Sequence, residues 1–424
     1  MLESGELPLV SAVDRHQPEA RALLERTVNV NSGTMNFAGV REVGRMFERE
    51  FQALGFTTEW IPGESFKRAG HLIARHRPSP AATTLGPKLL LIGHLDTVFE
   101  PDSPFQKFEA IGDTAARGPG VIDMKGGIVV MLLALRALAD EGRLARMSVT
   151  VYLGGDEEKA GAPLAVARRA LIAAADSADV AIGFEDGAGD PRTAVIARRG
   201  ATSWVLRVKG RPSHSSQIFK PEVGDGAVFE AARILATFRD SLAGEEYLTF
   251  NPGLILGGTT ISFDREQARG TAFGKSNVVA ESTVVAGDVR ALSVEQFERA
   301  KSRMRAIVAR SRPGTEASIA FDDGYPPLAP TEGNRELLRH YVDASLDLEL
   351  GPVEGVDPSR AGAADVSFTA GRVDGAIDGI GLRGTGGHTV QETADLRTIG
   401  SQAKRMALFL WRLPLRWRHP SYAN

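Results

Sequence analysis

Five short stretches of this 424-residue chain set histidine or acid beside glycine. They are Gly93-His94-Leu95-Asp96, Gly118-Pro-Gly-Val-Ile-Asp123-Met-Lys-Gly-Gly127, Gly154-Gly155-Asp156-Glu157-Glu158, Phe184-Glu185-Asp186-Gly187 and Gly384-Thr-Gly-Gly-His388. Each alone is ordinary: a hydrogen-bonded pair, a helix cap, a solvated acidic turn. Together they place acids beside separate apolar runs. Crowding carboxylates in one crevice costs repulsion and desolvation unless cations neutralise them. The chain has no cysteine and only eight histidines, which excludes disulfides, iron–sulfur clusters, thiolate zinc sites and a cysteine nucleophile. Any metal must be held by nitrogen and oxygen. Imidazole with carboxylate suits zinc, and also cobalt or manganese, better than magnesium or calcium. Two imidazoles and three carboxylates suffice for two ions sharing one carboxylate. Such a pair acidifies a bridging water toward hydroxide at neutral pH, and a further glutamate can relay its proton to a leaving amine.

The elements that would carry these groups follow from hydrophobic patterning. Lys88–Gly93, Met147–Gly154, Ala178–Phe184 and Ala376–Leu382 read as buried strands, and a buried helix begins near Lys125. Pro18–Val28 and Phe37–Leu54 read as amphipathic helices. Continuous apolar strands alternating with helices predict an α/β fold, its mainly parallel sheet covered by helices on both faces. Ligands of such sheets sit beyond the carboxyl ends of the strands, where the polar clusters fall.

From about residue 201 the texture changes. Thr202–Lys209 alternates, with Trp204, Leu206 and Val208 on one face. A helix over Asp225–Ser241 follows, then strands near Leu254–Phe263 and Val278–Ala291. A capping box at Ser293 and Gln296 opens a helix to about Ser311, and Ala317–Phe321 is a last strand. This β-α-β-β-α-β order is the ferredoxin-like split unit. The expectation is a catalytic, metal-binding domain of residues 1–200 and 324–424, interrupted by an inserted α+β domain over 201–323.

A formal charge of −3 gives no general attraction for nucleic acid or an anionic membrane. The most apolar stretch, Ile128–Leu138, is broken by Arg136 and too short to span a bilayer. The opening residues lack a basic start and apolar run. A cytoplasmic protein is expected, with an exported enzyme stripped of its signal as the alternative.

The motifs Gly93-His94-Leu95-Asp96-Thr97-Val98, Gly118–Gly127, Asp156-Glu157-Glu158, Gly210-Arg-Pro-Ser-His214-Ser and Gly387-His388 resemble those of the M20 metallopeptidases, in particular the glutamate carboxypeptidase-like branch. The likeness covers nearly the whole chain. It implies a dizinc exopeptidase-like catalytic domain with two zinc ions per subunit. His94, Asp123 and Glu185 would surround one ion; Asp123, Glu158 and His388 the other, with Asp123 bridging. Glu157 would be the general base and acid, and Asp96 would orient His94. Glu185 is preferred to Asp186 because it is the first polar residue after its strand. The inserted domain would close over the site and build a homodimer, and His214 would stabilise the oxyanion, in cis or from the partner. Asn277 and Arg290 would hold the substrate's backbone and terminal carboxylate. Gly362, with Asp365, keeps part of the family's substrate-binding pattern, but Ser359-Arg-Ala-Gly-Ala-Ala-Asp365 alters the rest. The resemblance therefore implies hydrolysis of an amide beside a free carboxylate, on a small peptide or an N-acyl amino acid, without implying release of glutamate. A deacylase or dipeptidase on the same scaffold is the first alternative, and a metal-dependent binding protein the second.

Overall fold

A computed structural model describes residues 1–78, 85–265 and 267–417. The chain divides into two compact units, one running to Arg198 and resuming at Leu328, the other Arg199–Pro327. The boundaries read from sequence, at 200/201 and 323/324, lie within a few residues of these.

The first unit is built on a six-stranded sheet ordered Thr57–Pro62, Gly70–His76, Val149–Gly154, Leu89–His94, Val180–Gly183, Gly375–Ile377. The last four strands are mutually parallel, and the first two are antiparallel additions at one edge. Side chains alternate between two faces, as the pleat requires. Leu89, Leu91, Val149, Val151 and Leu153 enter a core shared with helices Leu7–Val28, Lys125–Asp140 and Thr398–Arg416. Leu90, Ile92, Tyr152 and Ala181 face the other way, onto Leu171, Ala175 and Val366. Burial on both faces is what made these strands continuous apolar runs.

Three local expectations change. The first helix begins at Leu7 and carries Pro18 in its interior. Pro18 is exposed, and buried Leu9, Ala12 and Val13 before it, with Leu23 and Leu24 after it, keep the helix continuous through one missing ladder bond. The edge strand Thr57–Pro62 and its neighbour Gly70–His76 were not anticipated: the first is short and polar in part, and the second is a short, mostly buried run between His71 and His76. The run ending at Leu382 is a strand only over Gly375–Ile377; His388 instead lies between the short strands Gly384–Thr385 and Thr393–Asp395 of a separate small sheet.

In the second unit the sheet order is Thr249–Gly258, Ser282–Ala291, Gly200–Lys209, Glu316–Phe321, all antiparallel. Trp204, Leu206, Val208, Val285 and Val289 pack with residues of helices Gly226–Leu242 and Val294–Val308. The Ser293 hydroxyl accepts from the Gln296 N–H at 3.1 Å, capping the second helix. The segment read as one strand to Phe263 breaks at Gly258, and Thr260–Asp264 pairs with Arg269–Phe273 as a further hairpin.

At the base of the insertion the two crossings of the chain are paired. Arg198 and Leu328 exchange both backbone hydrogen bonds at 2.9 Å, and Ala201 bridges Tyr325. Among the described residues no helix is long and apolar enough to cross a membrane.

Candidate metal centre

Three parallel strands end in the polar clusters. His94 closes Leu89–His94, Glu157 and Glu158 follow Val149–Gly154, and Glu185 follows Val180–Gly183. Asp123 comes from the loop before the Lys125–Asp140 helix, and its peptide bond to Met124 is cis. His388 has a left-handed φ of 61°.

These five side chains converge. His94 Nε2 lies 3.0 Å from Asp123 Oδ1 and 3.7 Å from Glu185 Oε1. His388 Nε2 lies 2.8 Å from Asp123 Oδ2 and 3.1 Å from Glu158 Oε2. Two ligand groups result, with Asp123 common to both, and the candidate donor atoms within each lie within 4.8 Å of one another. Their surroundings differ: the His94 side chain is 1% exposed and the His388 side chain 60%.

The donor chemistry fits cations. His94 Nδ1 lies 3.0 Å from the Asp96 carbonyl, which can only accept, so Nδ1 carries the proton and Nε2 offers its lone pair. Glu158 Oε1 is buried with no hydrogen-bond partner, an expensive state for an acceptor that no cation meets. Burial pushes Glu157 and Glu185 well above the ordinary carboxylate range, and neighbouring acids, Asp123 among them, add to the rise. Asp123 moves the other way: burial alone would raise it, but His388 and His94 hold it low.

A second ring of residues positions the first. Asp96 is fully buried and accepts from the Thr34 hydroxyl at 2.7 Å and from the N–H groups of Glu157 and Glu158 at 3.1 and 3.2 Å. One carboxylate thus ties the His94 strand end to the Glu157-Glu158 turn. Asp378 accepts from Glu185 N–H at 3.3 Å and from Arg198 Nε at 2.8 Å, and Gly183 must be glycine because a Cβ there would meet Asp378 Oδ1 at 2.2 Å. Arg198 also donates to the carbonyl of Gly362 at 2.7 Å; Gly362 is exposed, and a Cβ there would meet open space. Arg168, buried, joins Asp156 at 2.6 Å to Asp365 at 2.8 Å.

Glu392 escaped the sequence reading. The ladder Thr393↔Arg117 sets it against the Asp123 loop, where its buried carboxylate accepts from the N–H groups of Gly120, Ile122 and Asp123 at 3.0, 2.9 and 3.1 Å. A lone glutamate between short strands gives no periodic signal. Asp378 was findable, since it directly follows a buried strand.

The other expected residues belong to the second unit. His214 is exposed, and its Nδ1 accepts from the Ser216 N–H at 3.2 Å, leaving Nε2–H as a donor. Asn277 is its neighbour: the Asn277 carbonyl accepts from Ser215 N–H at 2.9 Å. Arg290 is not close by. It pairs with Asp288 at 2.9 Å, opposite Ala201, whereas the His214 end of the same strand is Ser282, opposite Lys209.

Residues 90–412 match peptidase family M20/M25/M40. The chain belongs to peptidase family M20. It is 27% identical over 395 residues to carboxypeptidase G2 of Pseudomonas sp. (strain RS-16), covering 92% of this chain and 88% of that one. It is 27% identical over 375 residues to a succinyl-diaminopimelate desuccinylase of Gluconacetobacter diazotrophicus, covering 85% and 89%. Its fold matches the YXEP protein of Bacillus subtilis, a dinuclear metal-binding M20 peptidase, with a TM-score of 0.65 at 14% identity over 95% and 100% of the two chains. This M20 chain is a metal-dependent hydrolase of the peptidase and amidohydrolase kind.

Proposed function

We propose that the chain is a dizinc carboxypeptidase-type hydrolase, cleaving an amide beside a free carboxylate and releasing an amino acid from a peptide or N-acyl amino acid. The observation that carries this reading is the pair of ligand groups sharing Asp123, with Glu157 beside one of the ligands. His94, Asp123 and Glu185 would hold one ion, and Asp123, Glu158 and His388 the other. When bound, the two ions supply Lewis acidity toward the carbonyl and acidify the attacking water. Glu157, its carboxyl raised by burial, removes the water's proton and delivers it to the leaving amine. Asp96 keeps the His94 lone pair aimed inward. His214 donates from Nε2–H to the developing oxyanion, and Arg290 anchors the carboxylate.

The unit Arg199–Pro327 would also form a homodimer. Phe219, Val228, Phe229 and Ile255 are exposed on it, and Thr249–Gly258 is an edge strand, features that favour pairing with a second copy. The desuccinylase relative keeps N-acyl amino acid deacylation as the second reading, and the altered Ser359–Asp365 segment favours a leaving group other than glutamate. The decisive experiment offers zinc-loaded protein a mixed library of N-acyl amino acids and peptides and identifies products by mass spectrometry. Release of free amino acids, abolished by chelation and restored by zinc or cobalt, is expected; full activity in metal-free protein, or no hydrolysis of any member, would end the proposal.

A further inference from the structure

Arg383 and Arg405 are 1% and 2% exposed, among the most deeply buried large side chains of the molecule. Among the described residues neither has a carboxylate as a hydrogen-bond or ion-pair partner. Arg383 donates to the carbonyls of Asp186 and Thr193, the latter at 2.7 Å. Arg405 donates to the carbonyl of Pro191 at 2.9 Å and to the side chain of Gln402. Both guanidinium groups therefore land on the same short segment, Pro191–Thr193. Each keeps a buried Nε with no hydrogen-bond partner, and so does the hydroxyl of Tyr341. Tyr341 is fully buried, and its ring centre lies 5.5 Å from the Arg405 guanidinium carbon.

Two like charges removed from water without a counter-charge in contact are costly, and three unanswered polar groups in the same neighbourhood add to the cost. Burial holds the Arg383 guanidinium down at about 10, against the opposing pull of Tyr341, Asp186 and Asp190 and with a smaller push from the like charge of Arg405. Three elements meet here: the segment after Gly375–Ile377, the Thr398–Arg416 helix and the Glu332–Asp347 helix. None of them offers an acid in contact with these guanidinium groups, and Asp186 and Asp190, on the segment both arginines reach, act on Arg383 only through space, so the buried Nε and hydroxyl donors themselves stay unanswered.

We propose that Arg383, Arg405 and Tyr341 form a binding site for a small monovalent anion of the halide class, chloride in ordinary salt. Orphaned N–H and O–H groups are the donors a halide accepts, and the depth of the site selects against large or strongly hydrated oxyanions. The site is separate from the proposed ligands, but Arg383 also holds the carbonyl of Asp186, the residue after Glu185. The anion would therefore steady the segment that follows that ligand, and it does not depend on which substrate the enzyme takes.

The test uses the full chain dialysed into sodium gluconate, with chloride or bromide replacing gluconate at constant sodium concentration. The thermal midpoint should rise with halide and saturate, and a crystal soaked in bromide should show an anomalous peak against Arg383 and Arg405. Tyr341→Phe keeps the ring packing and removes one donor, so the half-saturating halide concentration should rise by about fivefold, the effect of one ordinary hydrogen bond. Arg405→Met should abolish saturation; should it fail to fold, Tyr341→Phe and the bromide peak decide. A midpoint that responds equally to gluconate and halide, or bromide absent from the site, overturns the proposal.

Discussion

Glu157 and Glu158 are adjacent in sequence and unlike in surroundings. Burial raises both carboxyls, but Glu158 Oε2 faces His388, so the two should respond differently to the same change. Glu157→Gln should retain both ions by metal analysis while kcat falls by at least about 10²-fold. Glu158→Gln should lose one ion; the reverse pattern would exchange the roles. His71 gives a pH signature of its own. Its ring faces the Ala167 carbonyl through Nε2 at 2.8 Å and accepts from Gly155 N–H at Nδ1, and burial holds its pKa down to about 4. The unfolded chain takes up this proton near the ordinary 6.5, the folded protein only near 4. Stability from a neutral His71 is therefore complete above pH 6.5 and drains as pH falls toward 4, by up to about 3 kcal/mol. Urea unfolding at pH 7 and pH 5 should show the loss, and His71→Phe should remove this part of the slope. At this scale the five expected ligands stood out as polar clusters at strand ends, the resemblance to M20 motifs selected among them, and the fold brings those side chains together. His71, Glu392 and Arg168 were not, because a buried polar residue is defined by partners far away in the chain.

At the scale of elements, the longer buried parallel strands announced themselves, while the half-exposed edge strand Thr57–Pro62 and the short buried Gly70–His76 beside it did not, since an alternating or brief run reads much like a loop. The same asymmetry hid the device that shapes the Asp123 loop. Three consecutive-region N–H groups point at one Glu392 carboxylate, in the manner of a nest around an anion. Glu392→Gln turns an acceptor oxygen into an amide that must face these donors with its nitrogen or give up one of them. Metal affinity, measured by competition with a chelating dye, should fall by about 10- to 100-fold, the scale typical of outer partners of metal ligands. Unchanged affinity would mean that the loop is held without Glu392.

At the scale of the whole molecule, His214 and Arg290 sit at opposite ends of the Ser282–Ala291 strand, and the eight steps between Ser282 and Arg290 span roughly 27 Å. One substrate touching both ends is most simply served by two subunits. Mixing His214→Ala with Glu157→Gln subunits, each nearly inactive alone, should then restore about a quarter of wild-type activity under random pairing; no recovery, or full activity in a strict monomer, would place His214 in its own subunit's site. The paired crossings at Arg198 and Leu328 extend this modularity to the chain itself. Residues that exchange both backbone hydrogen bonds are where a two-residue hairpin turn can be spliced, so Arg199–Pro327 is bounded like a graft. Replacing it with Asn-Gly should leave a shortened protein that folds and takes up both ions but turns nothing over, separating by surgery the part that holds metal from the part that reads substrate.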